Sequence, residues 1–212
     1  MKKLLLVLIS IIGLGLLNGC GSGSSTTTQQ DIATHFSVMS ATATPTAGTA
    51  FNITVTALGA SGQMVASYSG TVHFTSSDGQ AALPADTTLT NGTGSYSVTL
   101  KTVAAAGQTI TASATISGTS NSIPVSAAAP SQFSVTAASA ASLTGATFKF
   151  TVTAQDAFSN TATSYAGTVH FTSSDTNAKT VLPANSSLTN GTADFSAVLE
   201  TVGSESITAT DT

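Results

Sequence analysis

His73, Ser76 and Asp78 stand within one short stretch, and the same three types recur as His170, Ser173 and Asp175. Nucleophilic catalysis needs a hydroxyl within hydrogen-bond reach of an imidazole, and a third group to steer that imidazole. Here all three lie on one extended segment. Alternation sends His73 to the face opposite Val72 and Phe74, toward solvent and away from any closed pocket. The residues read as a strand histidine followed by a polar Ser-Ser-Asp turn, and no catalytic residue is expected. A second grouping, Asp156, Asp175 and Asp211, offers the carboxylate oxygens that calcium takes. The competing role for Asp156 is to cap a turn by bonding its own backbone. No cofactor is expected, and these three carboxylates are the only metal candidates. Asn52, Asn91, Asn185 and Asn190 each begin an Asn-x-Ser/Thr sequon. A threonine-rich chain produces such matches by composition, and they are read as unmodified.

The remaining reactive side chain is Cys20, the only cysteine. It follows Lys2 and Lys3, an apolar run from Leu4 to Leu17, then Asn18 and Gly19. A basic start, a short apolar stretch and a small residue before the cut make a signal peptide over residues 1–19. The run is shorter than the roughly 20 residues a spanning helix needs. Leu17-Asn18-Gly19-Cys20 resembles the lipobox of bacterial lipoproteins. The resemblance implies cleavage before Cys20 and lipidation, palmitate included, of its thiol and new amino group. Gly21, where enterobacterial lipoproteins kept at the inner membrane carry aspartate, implies the outer membrane or cell surface in a Gram-negative host. With one thiol the exported chain has no internal disulfide, so packing alone must hold it together. Beyond the cut there remain Lys101, Lys149 and Lys179 against nine carboxylates, a formal charge of −6. Phosphate neutralisation needs a basic footprint, so nucleic acid is excluded as a partner. Polybasic attraction to anionic lipid is excluded too, and the membrane contact falls to the lipid anchor. Residues 20–32 read as the lipidated cysteine and a flexible Gly/Ser/Thr/Gln linker with little to bury.

What positions these residues is an internal repeat. Thr71-Val-His-Phe-Thr-Ser-Ser-Asp78 recurs unchanged as Thr168–Asp175, 97 positions on. Phe36-Ser-Val38 returns as Phe133-Ser-Val135, and Gly48 with Phe51 as Gly145 with Phe148. Leu89–Thr93 returns as Leu188–Thr192 at an offset of 99, so two residues are inserted near Thr180. Each copy reads as strands. Phe51, Ile53, Val55 and Ala57 alternate with polar residues, and Phe148, Phe150, Val152 and Ala154 repeat the pattern. Val72 with Phe74, Tyr96 with Val98 and Leu100, and Ile110 with Ala112 alternate likewise. β-Branched threonine and valine favour the pleat. Asn91-Gly92 and Asn190-Gly191 are hairpin turns of type I′, and Pro84 and Pro183 mark positions outside the ladders.

Short strands repeating near 97 residues fit an all-β fold of two tandem immunoglobulin-like sandwiches, over residues 33–129 and 130–212. Antibody hallmarks are absent, with no tryptophan and no cysteine pair. Gly48–Thr56, Tyr68–Asp78, Leu83-Pro84 and Leu89–Leu100 resemble the bacterial immunoglobulin-like repeats of invasin- and intimin-type surface proteins. Ala154-Gln-Asp-Ala-Phe-Ser-Asn160 is similar to that family's Asp-x-x-x-Asn turn. The first copy has Ala57-Leu-Gly-Ala-Ser-Gly-Gln63 there, with Gly59 in place of Asp156 and Ala114 in place of Asp211. The two copies therefore share neither the turn's role nor a calcium site. The function expected is that of a non-catalytic, lipid-anchored cell-envelope protein whose repeats act as adhesion or spacer modules toward a protein or glycan ligand. The alternative is a carbohydrate-binding accessory protein, or the N-terminal part of a larger exported repeat protein or enzyme. Glycan stacking wants exposed aromatics, and only Tyr68, Tyr96 and Tyr165 are at hand beyond the phenylalanines. Finally, the second copy stops at Thr212 with no counterpart of Ile123 and Val125, the closing strand of the first. An incomplete second sandwich is expected, completed by a longer chain or by a strand from a partner.

Overall fold

Period-two patterning becomes period-two burial. In strand β2 (Ala50–Gly59) of the computed structural model, Phe51, Ile53, Val55 and Ala57 are buried while Asn52 and Thr54 are exposed. The structure describes residues 31–139 and 142–212. The signal segment, Cys20 and the linker as far as residue 30 lie outside the described residues.

In the first copy β2 is the middle of a sheet ordered β1-β2-β5, with β1 spanning Ala33–Ser40 and β5 Thr93–Thr99. The facing sheet is ordered β4-β3-β6-β7, from β3 (Thr71–Ser76), β4 (Thr87–Thr88), β6 (Ile110–Ser113) and β7 (Ser117–Thr119). All these pairings are antiparallel. Phe36, Val38, Ile53, Val55 and Val98 from one sheet meet Val72, Phe74, Ile110 and Ala112 from the other in a single core. Beyond β7 the chain closes the sandwich. Ile123 exchanges backbone hydrogen bonds with Gln108, and Ser126 bridges Thr46 in parallel. Ile123 and Val125 point into the core.

The second copy repeats the plan with β8 (Gln132–Ala137), β9 (Thr147–Gln155), β10 (Thr168–Ser173), β11 (Ser186–Ser187), β12 (Thr192–Val198) and β13 (Ile207–Asp211). Its sheets are ordered β12-β9-β8 and β11-β10-β13. The turns at Asn91-Gly92 and Asn190-Gly191 have positive φ at both central residues, 52° and 74° in the first and 51° and 74° in the second. That is the type I′ geometry the sequence predicts. The fold is all-β and immunoglobulin-like, without helix among the described residues.

β13 pairs with β10 alone, and no described strand lies on its other side. Phe36, Val38, Phe51 and Ile110 are buried, yet their counterparts Phe133, Val135, Phe148 and Ile207 are only half-buried. A cleft of about 560 Å3 in the second copy is lined by Val135, Leu143, Phe148, Phe150, Leu199 and Ile207.

Candidate functional site

The eight-residue identity ends on an aspartate that clamps a distant loop. Asp78 Oδ1 accepts the Gln80 N–H at 2.9 Å and the Thr102 hydroxyl at 2.8 Å. Its Oδ2 accepts the Lys101 and Thr102 N–H groups at 2.6 and 2.9 Å. Ser76 Oγ meanwhile accepts the Asp78 N–H and donates to Thr109 O. Asp175 does the same in the second copy, with Asn177, Glu200 and Thr201 as donors. Burial raises both carboxyls, but the converging donors outweigh it and hold each below the usual carboxylate range.

The first clamp has a consequence across the copies. It fixes Lys101–Val103 so that Lys101 C=O and Val103 N–H face the second copy. Asn160 takes both: its Nδ2 donates to Lys101 O at 2.7 Å, and its Oδ1 accepts from Val103 N at 2.8 Å. Asn160 is held in turn by Asp156, which is fully buried. Asp156 Oδ1 accepts the Phe158 and Asn160 N–H groups at 2.8 and 2.9 Å. Its Oδ2 accepts Asn160 Nδ2 at 2.9 Å and the Ala128 N–H of the connecting segment at 3.0 Å. Burial again raises the carboxyl and the donors, Asn160 foremost, bring it below its ordinary value. The turn between them carries Ser159 at φ 68°. Its Phe158 ring rests on Gly48: a Cβ there would stand 2.4 Å from the ring edge. Lys101 Nζ lies 5.8 Å from the ring centroid, a cation–π contact. The Asp-x-x-x-Asn turn is therefore the joint between the copies.

The first copy shows why it lacks that turn. A Cβ on Gly59 would lie 2.3 Å from Asp31 Oδ2. Asp31 stands 97 positions before Ala128, the offset of the repeat, and its carboxylate occupies the room that the Asp156 side chain takes in the second copy. Ser61 Oγ donates to it at 2.9 Å. The carboxylate sits on the incoming chain in one copy and on the turn in the other.

The triad residues do not assemble. His73 is exposed and its Nδ1 meets Asp86 Oδ1 at 2.7 Å, while His170 Nδ1 meets Asn185 Oδ1 at 2.9 Å. Neither histidine bonds the serine or aspartate of its own segment. The three calcium candidates do not come together either. Asp156 and Asp175 face N–H donors, whose positive ends disfavour a cation. Asp211 is exposed and accepts the Tyr165 hydroxyl, whose pKa burial and that carboxylate push up to about 12. Among the described residues no three His, Cys, Asp or Glu side chains form a metal-binding group. Sequence reasoning noted Asn160 within a turn but missed its reach into Lys101–Val103. It also missed Asp78 and Asp175 as clamps, although the unchanged Ser-Ser-Asp was the available signal.

Strand order and facing cores define the class as immunoglobulin-like β-sandwich repeats. No family model matches the chain, and no curated protein does. Solved structures with a similar course include the Escherichia coli adhesin FdeC, at 19% identity and TM-score 0.41, covering 84% of this chain and 60% of that one. The Yersinia pseudotuberculosis adhesin InvE is 15% identical at TM-score 0.41, covering 83% and 58%. The D0–D1 region of intimin is 17% identical at TM-score 0.35, covering 82% and 89%. The chain thus spans about three fifths of the two longer adhesin structures. Likenesses at this level leave the fold resting on the strands described above.

Proposed function

We propose that this chain is a non-catalytic, lipid-anchored cell-envelope protein whose immunoglobulin-like repeats act as spacer and adhesion modules. The observation that carries the reading is the joint. Asn160 and Asp156 are both buried and fully bonded, and they tie the backbone of one copy to the turn of the next. Satisfied buried polar networks specify one arrangement, which is what a spacer requires and what a chain of freely hinged beads lacks. The anchor is the lipobox-like Cys20, and the ligand a protein or glycan at the cell surface. Two measurements test the reading. Palmitate labelling of cells is expected to vanish with Cys20→Ser, and labelling that survives overturns the anchor. A pull-down against host and bacterial surface proteins, run beside a glycan array, is expected to retain protein ligands. Binding on the array alone would favour the carbohydrate-binding reading instead.

A further inference from the structure

The surface that receives the joint in the first copy is present again at the far end of the second. Gly145 has φ 73° where Gly48 has 77°, and each donates its N–H to the carbonyl of a leucine, Leu199 and Leu100, at 2.9 Å. Asp175 clamps the Glu200 and Thr201 N–H groups as Asp78 clamps those of Lys101 and Thr102. The counterparts of Lys101 C=O and Val103 N–H are therefore Glu200 C=O and Val202 N–H. Val202 is 88% exposed, against 42% for Val103 beneath its neighbour.

We propose that Gly145 and Glu200–Val202 form a docking socket for the Asp-x-x-x-Asn turn of another immunoglobulin-like domain. The occupant is argued from the first copy, where the same backbone holds such a turn. A second copy of this chain does not supply it: its Asp156 and Asn160 are engaged in their own joint, and its other turn carries Gly59 and Gln63. One side chain differs between the sockets and sets a preference. Lys101 faces the aromatic ring of Phe158, but Glu200 replaces it, with its carboxylate 3.5 Å from where a Gly145 Cβ would stand. A carboxylate is repelled by the negative face of a ring. The partner turn accordingly carries a basic residue where the internal joint has Phe158. This inference is independent of whether the repeats bind a surface ligand.

The test appends a copy of Ile116–Thr212 after Thr212 in the full chain, so that its first residues supply the closing strand and its turn reaches the socket. A control appends only Ile116–Ala127, which completes the sandwich and brings no turn. Amide hydrogen exchange at Val202 is expected to slow about tenfold or more in the longer chain relative to the control, the scale of one buried hydrogen bond. Asn160→Ala in the appended copy should return Val202 to the control rate, and Phe158→Lys there should slow it further. Equal Val202 exchange in the longer chain and the control overturns the socket. Slowing that survives Asn160→Ala overturns the role of the turn, and a Phe158→Lys copy that docks no better overturns the charge preference.

Discussion

Asn160 spends both ends of its amide on backbone groups that have no other partner at the joint. Asn160→Ala leaves Lys101 C=O and Val103 N–H without it and opens a gap beside Asp156. A loss of about 1–3 kcal/mol is expected in denaturant unfolding, and a change below about 0.5 kcal/mol would show that the joint is decoration. The buried carboxylates add a pH dependence whose sign is fixed. Asp78 and Asp156 are lowered in the folded chain relative to about 3.9 for an unfolded aspartate. Their contribution is complete above pH 4 and is lost as pH falls toward the folded values. Acid titration by circular dichroism should show destabilisation below about pH 4 that Asp78→Asn and Asp156→Asn each reduce. A profile unchanged in both variants would sink this assignment. Such roles were half legible in the sequence. The outward histidines follow from alternation, but a clamp is a relation between Asp78 and N–H groups 23 and 24 residues away. Side-chain type tells that an aspartate wants donors; only the folded backbone tells which ones face it.

At the scale of strands the reading from sequence went further, because a one-sided sheet has to alternate. Phe74 and Phe171 are buried at equivalent places, each 4% exposed, with His73 and His170 on the opposite face. Phe74→Ala and Phe171→Ala should cost about 3–5 kcal/mol each, whereas His73→Ala and His170→Ala should cost less than about 1 kcal/mol. Equal losses within either His/Phe pair would refute the facing. The two-residue strands β4 and β11 were not foreseen, since two residues carry no period. Among the described residues β13 has β10 as its one neighbour. The half-buried Phe133, Val135 and Phe148 give that open side its energetic meaning: apolar surface left partly in water contributes less to the core.

Among the described residues the first copy has a closed core and the second an open one, and heating a protein of these 212 residues should find the difference. The second copy is expected to unfold at a lower midpoint than the first, as two calorimetric transitions. Appending a strand patterned on Gly118–Ser126 should raise the lower midpoint and suppress aggregation, since an unpaired edge invites pairing with other chains. A single transition that the added strand leaves in place would refute the open edge.

The carboxylate that changes sides between the copies gives the chain a grammar. With Asp31 on the incoming segment and Gly59 on the turn, the first copy keeps its carboxylate on the segment that enters it. With Ala128 on the incoming segment and Asp156 with Asn160 on the turn, the second is written to follow. Exchanged, the trailing copy would meet its predecessor with a glycine and a glutamine. The two units share one strand plan, but these few side chains distinguish the copy that receives the joint from the copy that supplies it.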